Sequence, residues 1–197
     1  MSRLPETPSQ LSQTSGEYSA EERRLLLRLA HESIASALEH REISFDPPSE
    51  HLAQPRGAFT TIYHQGQLRG CVGYVLPVYS LYRTIAETAR AAAFDDTRFP
   101  PLSAEELPGL QVSLSILSLL EPILPERVEI GRHGLVITMG GRRGLLLPQV
   151  PVERNWSRET FLSQTCRKAG LPNDAWRSGA QIEAFTAEIF ADPGLDE

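Results

Sequence analysis

Cysteine is scarce in this sequence, whose 197 residues include only Cys71 and Cys166. Two cysteines are too few for the disulfide framework of a small secreted domain. They also form no CxxC pair, which argues against a cysteine-rich zinc site. We therefore expect two reduced thiols in a cytoplasmic protein.

Long apolar runs are missing as well, because no stretch reaches the roughly 20 residues that a membrane helix needs. Residues 1–18 are rich in Ser, Gln, Thr and Pro and contain no apolar segment typical of a signal peptide. We expect them to form a disordered polar tail. A single domain of one or two lobes is expected to follow over residues 19–197.

Positive charge is in the minority, since 19 Lys and Arg residues face 25 Asp and Glu residues, for a formal net charge of −6. Such a surface is unsuited to tracking phosphates. Hydrophobic residues make up 41% of the chain, which is enough to bury a core. The composition thus predicts a soluble globular protein that binds neither nucleic acid nor membrane.

The apolar residues recur with two different periods, which predicts both helices and strands. Ser19 and Glu22 have the spacing of a capping box at the start of a first helix. Further helices are expected over 81–94 and 157–169. The strand-like segments are predicted to form two hairpins, 57–64 with 68–75 and 135–139 with 144–147, and two single strands, 110–116 and 182–190.

A sequence of hairpin, Leu-Pro, helix and strand occurs twice along the chain. The Leu-Pro pairs are Leu76-Pro77 and Leu147-Pro148. This recurrence suggests an internal duplication. Because helices and strands do not alternate regularly, the pattern favours an α+β fold over a doubly wound sheet.

Cys71 is the first candidate for chemistry, because it lies between two glycines in the strand-like segment LRGCVGY. Glycine within a strand usually marks a bulge or a close backbone approach. Arg69 is two residues away, and a nearby guanidinium favours the reactive thiolate. The alternative is a packed thiol, since free cysteine is often buried. Cys166 lies on an apolar helix face and is expected to pack.

Polar groups gather in two other short segments. His133 lies between glycines, where it is accessible and can titrate near neutrality, although a surface turn would look the same. Asp96 and Arg98 share one loop and could bind a polar ligand or satisfy loop backbone groups. The histidines show no metal-ligand spacing, so no metal is expected. The GxSxG, GxGxxG and P-loop motifs are absent.

In their order along the chain, several segments resemble the AMMECR1 domain family, over about residues 19–190. Val72 and Tyr74 stand where Ile and Thr are frequent in that family. The resemblance is carried by GAF at 57–59, LRGCVG at 68–73, DTRFPPL at 96–102, EL at 106–107, VSLS at 112–115, GRHGL at 131–135, LLPQV at 146–150, FL at 161–162 and CRKAG at 166–170.

The resemblance implies an α+β fold in which two hairpin-helix-strand repeats share one antiparallel sheet with flanking helices. It also associates the chain with the AmmeMemoRadiSam system, where it would act with a Memo-like protein and a radical SAM protein. It specifies no reaction, substrate or cofactor, so the cofactor stays unknown.

Two functions from different classes fit these residues. In the first, the chain is an enzyme or enzyme component with Cys71 as nucleophile or redox thiol, His133 as general acid–base and Asp96 as an orienting group. The residues that would bind a small-molecule substrate are Arg69, Gly70, Arg98 and Gln149. In the second, the chain is a non-catalytic adaptor for the same partners. A third hypothesis, a redox sensor built on Cys71, would need Cys166 or glutathione as its resolving thiol.

Overall fold

The computed structural model describes residues 16–195, which form helices and antiparallel strands in an α+β arrangement, as predicted. None of the helices described is long and apolar enough to cross a membrane. The elements are α1 (Ala20–Leu38), α2 (Glu50–Ala53), β1 (Ala58–His64), β2 (Gln67–Tyr74), α3 (Leu81–Phe94), β3 (Leu110–Leu117), β4 (Glu121–Pro122), β5 (Gly134–Met139), β6 (Arg142–Leu146), α4 (Gln149–Glu153), α5 (Arg158–Lys168), β7 (Gln181–Phe185) and β8 (Ala187–Ala191).

Most of the predicted tail, residues 1–15, lies outside the described residues. Its last residue, Tyr18, is buried, and its ring stacks on that of His51 with the centroids 4.9 Å apart. Helix α1 begins directly afterwards with the predicted capping box. The Ser19 hydroxyl accepts from the Glu22 N–H, and the Glu22 carboxylate accepts from the Ser19 N–H.

The first lobe is a four-stranded sheet of order β2-β1-β3-β8, with α1 and α3 packed on one face. Strand β1 shows the alternation: Thr60 and Ile62 are buried toward the helices, and Phe59 and Thr61 are only half-buried on the opposite face. Thr60 and Thr88 share a buried hydrogen bond of 2.8 Å between their hydroxyls. The face of the sheet opposite α1 and α3 is called the open face below.

The second lobe is a four-stranded sheet of order β4-β7-β5-β6, against which α5 packs. Its core includes Phe161 and Ile137. Cys166 is fully buried there, as expected, and burial raises the pKa of its thiol. The chain thus builds two sheets, not the single shared sheet that the resemblance implied.

The division into two sheets comes from a β-bulge in the pairing of β3–β4 with β7–β8. Leu117 lies opposite Ala187, and Glu121 lies opposite Ala184, so the first strand has one extra residue between these pairs. Such an insertion interrupts the ladder and bends the strands. The predicted single strand 182–190 is therefore split at Thr186 into β7 and β8.

A third apolar cluster joins the lobes at this point. It contains the buried side chains of Leu117, Val136 and Phe185. Its half-buried members come from both lobes, including Phe59 and Val75 from the first lobe and Leu145 and Leu147 from the second.

The two lobes are built alike, which supports the predicted duplication. In each, the second strand of a hairpin carries an Arg-Gly pair, Arg69-Gly70 in β2 and Arg143-Gly144 in β6. Gly70 lies against the end of α3, and Gly144 lies against the end of α5. A Cβ atom at Gly70 would overlap the carbonyl of Ala92, and one at Gly144 would overlap the backbone of Ala169. Only glycine permits these close approaches.

Candidate functional site

Cys71 lies on β2, the edge strand of the first sheet, and its thiol is on the open face. Its neighbours Gly70 and Val72 face the helices, so alternation along the strand directs Cys71 to the other side. Thr61 lies opposite on β1 and donates a hydrogen bond of 3.2 Å from Oγ1 to Cys71 Sγ. The thiol is half-buried and makes this hydrogen bond at a solvent-accessible position.

The loop after α3 covers the edge of β2 through Asp96. The Cys71 N–H donates to Asp96 Oδ2 at 2.9 Å, which occupies an amide that an edge strand would otherwise leave unpaired. Asp96 also accepts from the backbone and the guanidinium of Arg98 at 2.6–3.2 Å. These hydrogen bonds, first those from the Arg98 side chain and then that from Cys71, hold the pKa of Asp96 well below its usual range.

Asp96 is therefore ionised at neutral pH, and its oxygens are occupied by hydrogen bonds. A carboxylate in this state is a poor proton acceptor but can fix the positions of Cys71 and Arg98. That geometry fits the predicted orienting role of Asp96 and gives it no role as a base.

Arg98 presents positive charge to solvent beside Cys71. Its side chain is 56% exposed, whereas that of its partner Asp96 is 7% exposed. The hydrogen bonds to Asp96 are the main cause that raises the pKa of Arg98, and the Coulombic effect of Cys71 makes a smaller contribution. Nε and Nη2 donate to Asp96. Nη1 has no hydrogen-bond partner among residues 16–195 and can donate to an anionic ligand.

Arg69, in contrast, is committed to an internal ion pair. Its Nε donates to Glu106 Oε1 at 2.7 Å and its Nη2 to Glu106 Oε2 at 3.1 Å. The pair lowers the pKa of Glu106 to about 2, with the Arg69 hydrogen bond as the largest cause. Nε and Nη2 are thus directed at Glu106, whereas Nη1 is buried without a hydrogen-bond partner among the described residues. No hydrogen bond joins Arg69 to Cys71, and the predicted binding of substrate by Arg69 stays a prediction.

The two glycines beside Cys71 have packing roles. Gly70 lies under the Ala92 carbonyl, and the Phe59 ring covers Gly73 so closely that a Cβ atom would overlap it. The predicted substrate contact at Gly70 is therefore occupied by the backbone of α3. Within RGCVG, Cys71 is the residue whose side chain is not committed to packing or to an ion pair.

His133 lies in the loop before β5 and belongs to a different cavity. Its Nδ1 accepts a hydrogen bond of 3.0 Å from the Glu129 N–H. The cavity that it lines, of about 300 Å³, includes neither Cys71 nor Asp96. The structure thus brings Cys71, Asp96 and Arg98 together and places His133 elsewhere.

Gln149 is the exposed first residue of α4. Two residues before it, Leu147 packs in the cluster that joins the lobes. Helix α4 also touches the GRHG loop, since a Cβ atom at Gly131 would lie 3.2 Å from Val152. The predicted residues Gln149 and His133 therefore lie in neighbouring segments of the second lobe, and no hydrogen bond described for either reaches Cys71.

Thr61 and Ser113 form the floor beside Cys71 and were not identified from the sequence. Both lie in register with it, because Thr61 opposes Cys71 on one side and Ser113 on the other. The sequence shows the polar face of each strand as a period of two. It does not show which strands pair or in which register they do so.

These features define a two-lobed α+β protein with an accessible thiol at the edge of an open sheet face, where a buried carboxylate binds the backbone of the cysteine and an exposed guanidinium. Residues 27–190 match the AMMECR1 family model, and the chain belongs to the AMMECR1 family.

Relatives from archaea match most of the chain. Protein MK0488 of Methanopyrus kandleri is 42% identical over 182 residues, which cover 86% of this chain and 88% of that protein. Protein TK0174 of Thermococcus kodakarensis is 42% identical over 180 residues, or 84% of this chain and 87% of that protein. The crystal structure of the uncharacterised protein PH0010 from Pyrococcus horikoshii is similar with a TM-score of 0.73 and 39% identity, covering 89% of this chain and 93% of that chain.

Proposed function

We propose that this chain is an enzyme, or a component of one, in which Cys71 supplies a reactive thiol and Arg98 binds an anionic group of the substrate. The observation that carries this proposal is the position of the thiol. Cys71 is half-buried on the open face, although the side chains or backbone of Arg69, Gly70, Val72 and Gly73 are all used in the fold.

The residues around the thiol fit such a role. Thr61 provides a hydroxyl donor at 3.2 Å from the sulfur, and Asp96 fixes the backbone of Cys71. Arg98 carries exposed positive charge, and a guanidinium binds carboxylates and phosphates through charge-assisted hydrogen bonds. Preorganised groups of this kind are what a catalytic thiol needs from its surroundings.

His133 is left out of the proposed thiol site. Acid–base catalysis with Cys71 would need His133 within hydrogen-bond reach of the sulfur or of a shared substrate. Nδ1 of His133 instead accepts a hydrogen bond from the Glu129 N–H, and the cavity that His133 lines contains neither Cys71 nor Arg98.

We also propose that the chain acts with a Memo-like protein and a radical SAM protein. Membership of the AMMECR1 family supports this association. The proposal predicts that the purified chain binds at least one of the two proteins, which can be measured by pull-down and by isothermal titration calorimetry.

A non-catalytic adaptor is the second candidate, and one observation favours it. The segment Leu76–Tyr79 follows β2 and exposes consecutive apolar side chains, with Val78 66% exposed. Exposed apolar patches often mark protein–protein contacts. In an adaptor this segment would contact the partner, so Val78→Ser would weaken binding and Cys71→Ala would leave it unchanged.

Alkylation by iodoacetamide tests the thiol proposal. Peptide mass spectrometry can follow Cys71 and Cys166 separately in the unmodified chain, with Cys166 as the buried internal control. We expect Cys71 to react in the folded protein and Cys166 to react only after unfolding. If both cysteines react only on unfolding, the thiol is a packing group and the adaptor becomes the leading function.

A further inference from the structure

Strand β6 is an edge strand of the second sheet, whose order is β4-β7-β5-β6. Because β5 and β6 join through the two-residue turn Gly140-Gly141, the residue pair on either side of that turn is hydrogen-bonded. Hydrogen-bonded and non-hydrogen-bonded pairs alternate from there, so the N–H and C=O groups of Arg143 and Leu145 point away from β5. Within residues 16–195, these four groups make no other hydrogen bond, and an added strand could use them.

The corresponding edge of the first lobe is closed. Leu145 follows Gly144 as Cys71 follows Gly70, and the Cys71 N–H donates to Asp96 Oδ2 at 2.9 Å. The described part of the chain thus gives a partner to an edge amide in the first lobe and gives none to its counterpart in the second.

Positive charge surrounds the outer edge of β6, although the chain as a whole has a formal net charge of −6. Arg142 and Arg143 are both exposed, and they lie on opposite faces of the sheet because side chains alternate along a strand. Lys168, the exposed last residue of α5, lies beside β6, since a Cβ atom at Gly144 would be 2.7 Å from its carbonyl carbon.

These three cations have little compensating negative charge. Nη1 of Arg142 donates to the Gly170 carbonyl at 2.8 Å, and that acceptor is neutral. Arg143 is 3.9 Å from Glu183, which is beyond hydrogen-bond distance, and its side chain is 40% exposed. Lys168 has no ion pair with any residue of the described range. Charged side chains often protect an edge strand from other strands, but a basic edge attracts an acidic strand.

We propose that the outer edge of β6 binds an acidic, extended segment of a partner protein as an added antiparallel strand. The main chain of the segment pairs with Arg143 and Leu145, and its carboxylates contact Arg142, Arg143 and Lys168. The residue opposite Leu145 is apolar, because Leu145 packs in the cluster that joins the lobes. This surface does not depend on the reactivity of the Cys71 thiol.

The probe is an acetylated and amidated hexapeptide, Thr-Val-Glu-Glu-Glu-Thr. Its valine is designed to lie opposite Leu145 and its second glutamate opposite Arg143. Isothermal titration calorimetry at about 50 mM salt keeps the screening of exposed charges low. Replacement of all three glutamates by glutamine should weaken binding about tenfold or more, because each exposed charge contact contributes a factor of about two to five.

Two methylated forms of the probe test the strand pairing. Methyl groups on the nitrogens of valine and of the second glutamate, which face β6, should abolish binding. Methyl groups on the first and third glutamates, whose N–H groups point away from β6, should preserve most of it. The unmethylated peptide should also slow hydrogen exchange at the N–H groups of Arg143 and Leu145 by about fivefold or more, with no change at Cys71.

Variants of the chain test the charges. Arg143→Gln and Lys168→Gln should each weaken binding about two- to fivefold. Arg90→Gln removes an exposed arginine of α3 in the first lobe and is the matched control, which should leave binding unchanged. Equal affinities of the glutamate and glutamine peptides, equal affinities of the two methylated forms, or no binding at millimolar concentration would overturn the proposal. The cations would then serve only to protect the edge of β6.

Discussion

The two lobes use the same scaffold for different purposes, and Cys71 marks the difference. In the first lobe, a row across the sheet reads Cys71, Thr61 and Ser113. In the second lobe, the corresponding row reads Leu145, Val136 and Glu183. The rows correspond because Cys71 and Leu145 each follow a glycine that touches the end of a helix, α3 in the first lobe and α5 in the second.

The surroundings of the two rows explain the difference. Val136 is fully buried, and Leu145 packs in the cluster that joins the lobes. Cys71 instead faces the open side of its sheet, where Thr61 hydrogen-bonds the thiol. When two lobes are built alike, a sheet face that packs between the lobes in one of them can stay open to a ligand in the other.

The largest expected effect concerns the glycines that both lobes share. Gly70→Ala and Gly144→Ala should each lower the free energy of unfolding by about 3 kcal/mol, because the new Cβ atom would overlap backbone that cannot move easily. Chemical denaturation with urea measures the loss.

Gly66→Ala is the control for backbone conformation. Gly66 has a φ of 73° in the first hairpin turn, and a Cβ atom there would meet nothing within 4 Å. Gly66→Ala should lower the free energy of unfolding by only about 1 kcal/mol, because alanine is disfavoured in the left-handed conformation but meets no other atoms there. A loss at Gly70 or Gly144 no greater than this would mean that the helix contact does not require glycine.

A smaller effect should separate Leu145 from Cys71. Leu145→Ala removes a side chain from the cluster between the lobes and should cost about 2 kcal/mol. Cys71→Ala should cost less than about 1 kcal/mol, because the thiol is half-buried and outside the apolar clusters. Thermal and urea unfolding can compare the variants. Equal losses would show that Cys71 is a packing residue like its counterpart.

The hydrogen bonds that Asp96 accepts from the Cys71 N–H and from Arg98, called the Asp96 clamp below, predict a stability difference that depends on pH. Asp96→Asn should lower the free energy of unfolding by about 1–2 kcal/mol at pH 7, allowing for solvent screening. The folded-state pKa of Asp96 is depressed, so the carboxylate stabilises the fold above the unfolded pKa of about 3.9. This contribution is lost as the pH falls through the folded-state pKa.

The free energies of unfolding of the wild type and of Asp96→Asn, measured between pH 7 and pH 3, give the contribution of the Asp96 clamp. The gap between wild type and Asp96→Asn should be constant above about pH 5 and should narrow toward acid. Among the described residues, no side chain accepts from the N–H of Leu145, so the second lobe has no equivalent clamp. A gap that widens toward acid would contradict the assignment.

Much of the fold followed from local sequence signals. The capping box at Ser19, the hairpin turns and the period of two in β3 each depend on residues close together in the chain, and the elements formed nearly where they were expected. The division into two sheets was not foreseen, because one extra residue around Leu119 acts only through pairing with a strand about 65 residues away.

The site was harder to predict because its contacts are distant in sequence. The partner of Arg69 is Glu106, and the partner of the Cys71 amide is Asp96, 25 residues away. Sequence proximity suggested that Arg69 acts on Cys71, whereas the fold gives that position to Arg98. Residue types thus led to the segments that contain Cys71, Asp96 and Arg98, and were a poor guide to which side chains meet.

The smallest expected effect is electrostatic, and it tests whether the positive charge of Arg98 acts on a reagent that approaches the Cys71 thiol. Iodoacetate is an anion and iodoacetamide is neutral, so the ratio of their rates with Cys71 reports the local charge. Arg98→Gln should lower this ratio about two- to fivefold, the size expected of a solvent-exposed charge interaction. Arg90→Gln removes an exposed arginine on α3 and is the matched control. Without Arg98, the buried Asp96 carboxylate leaves a net negative charge beside Cys71, which repels iodoacetate but not iodoacetamide. An unchanged rate ratio would mean that Arg98 does not face the approaching reagent.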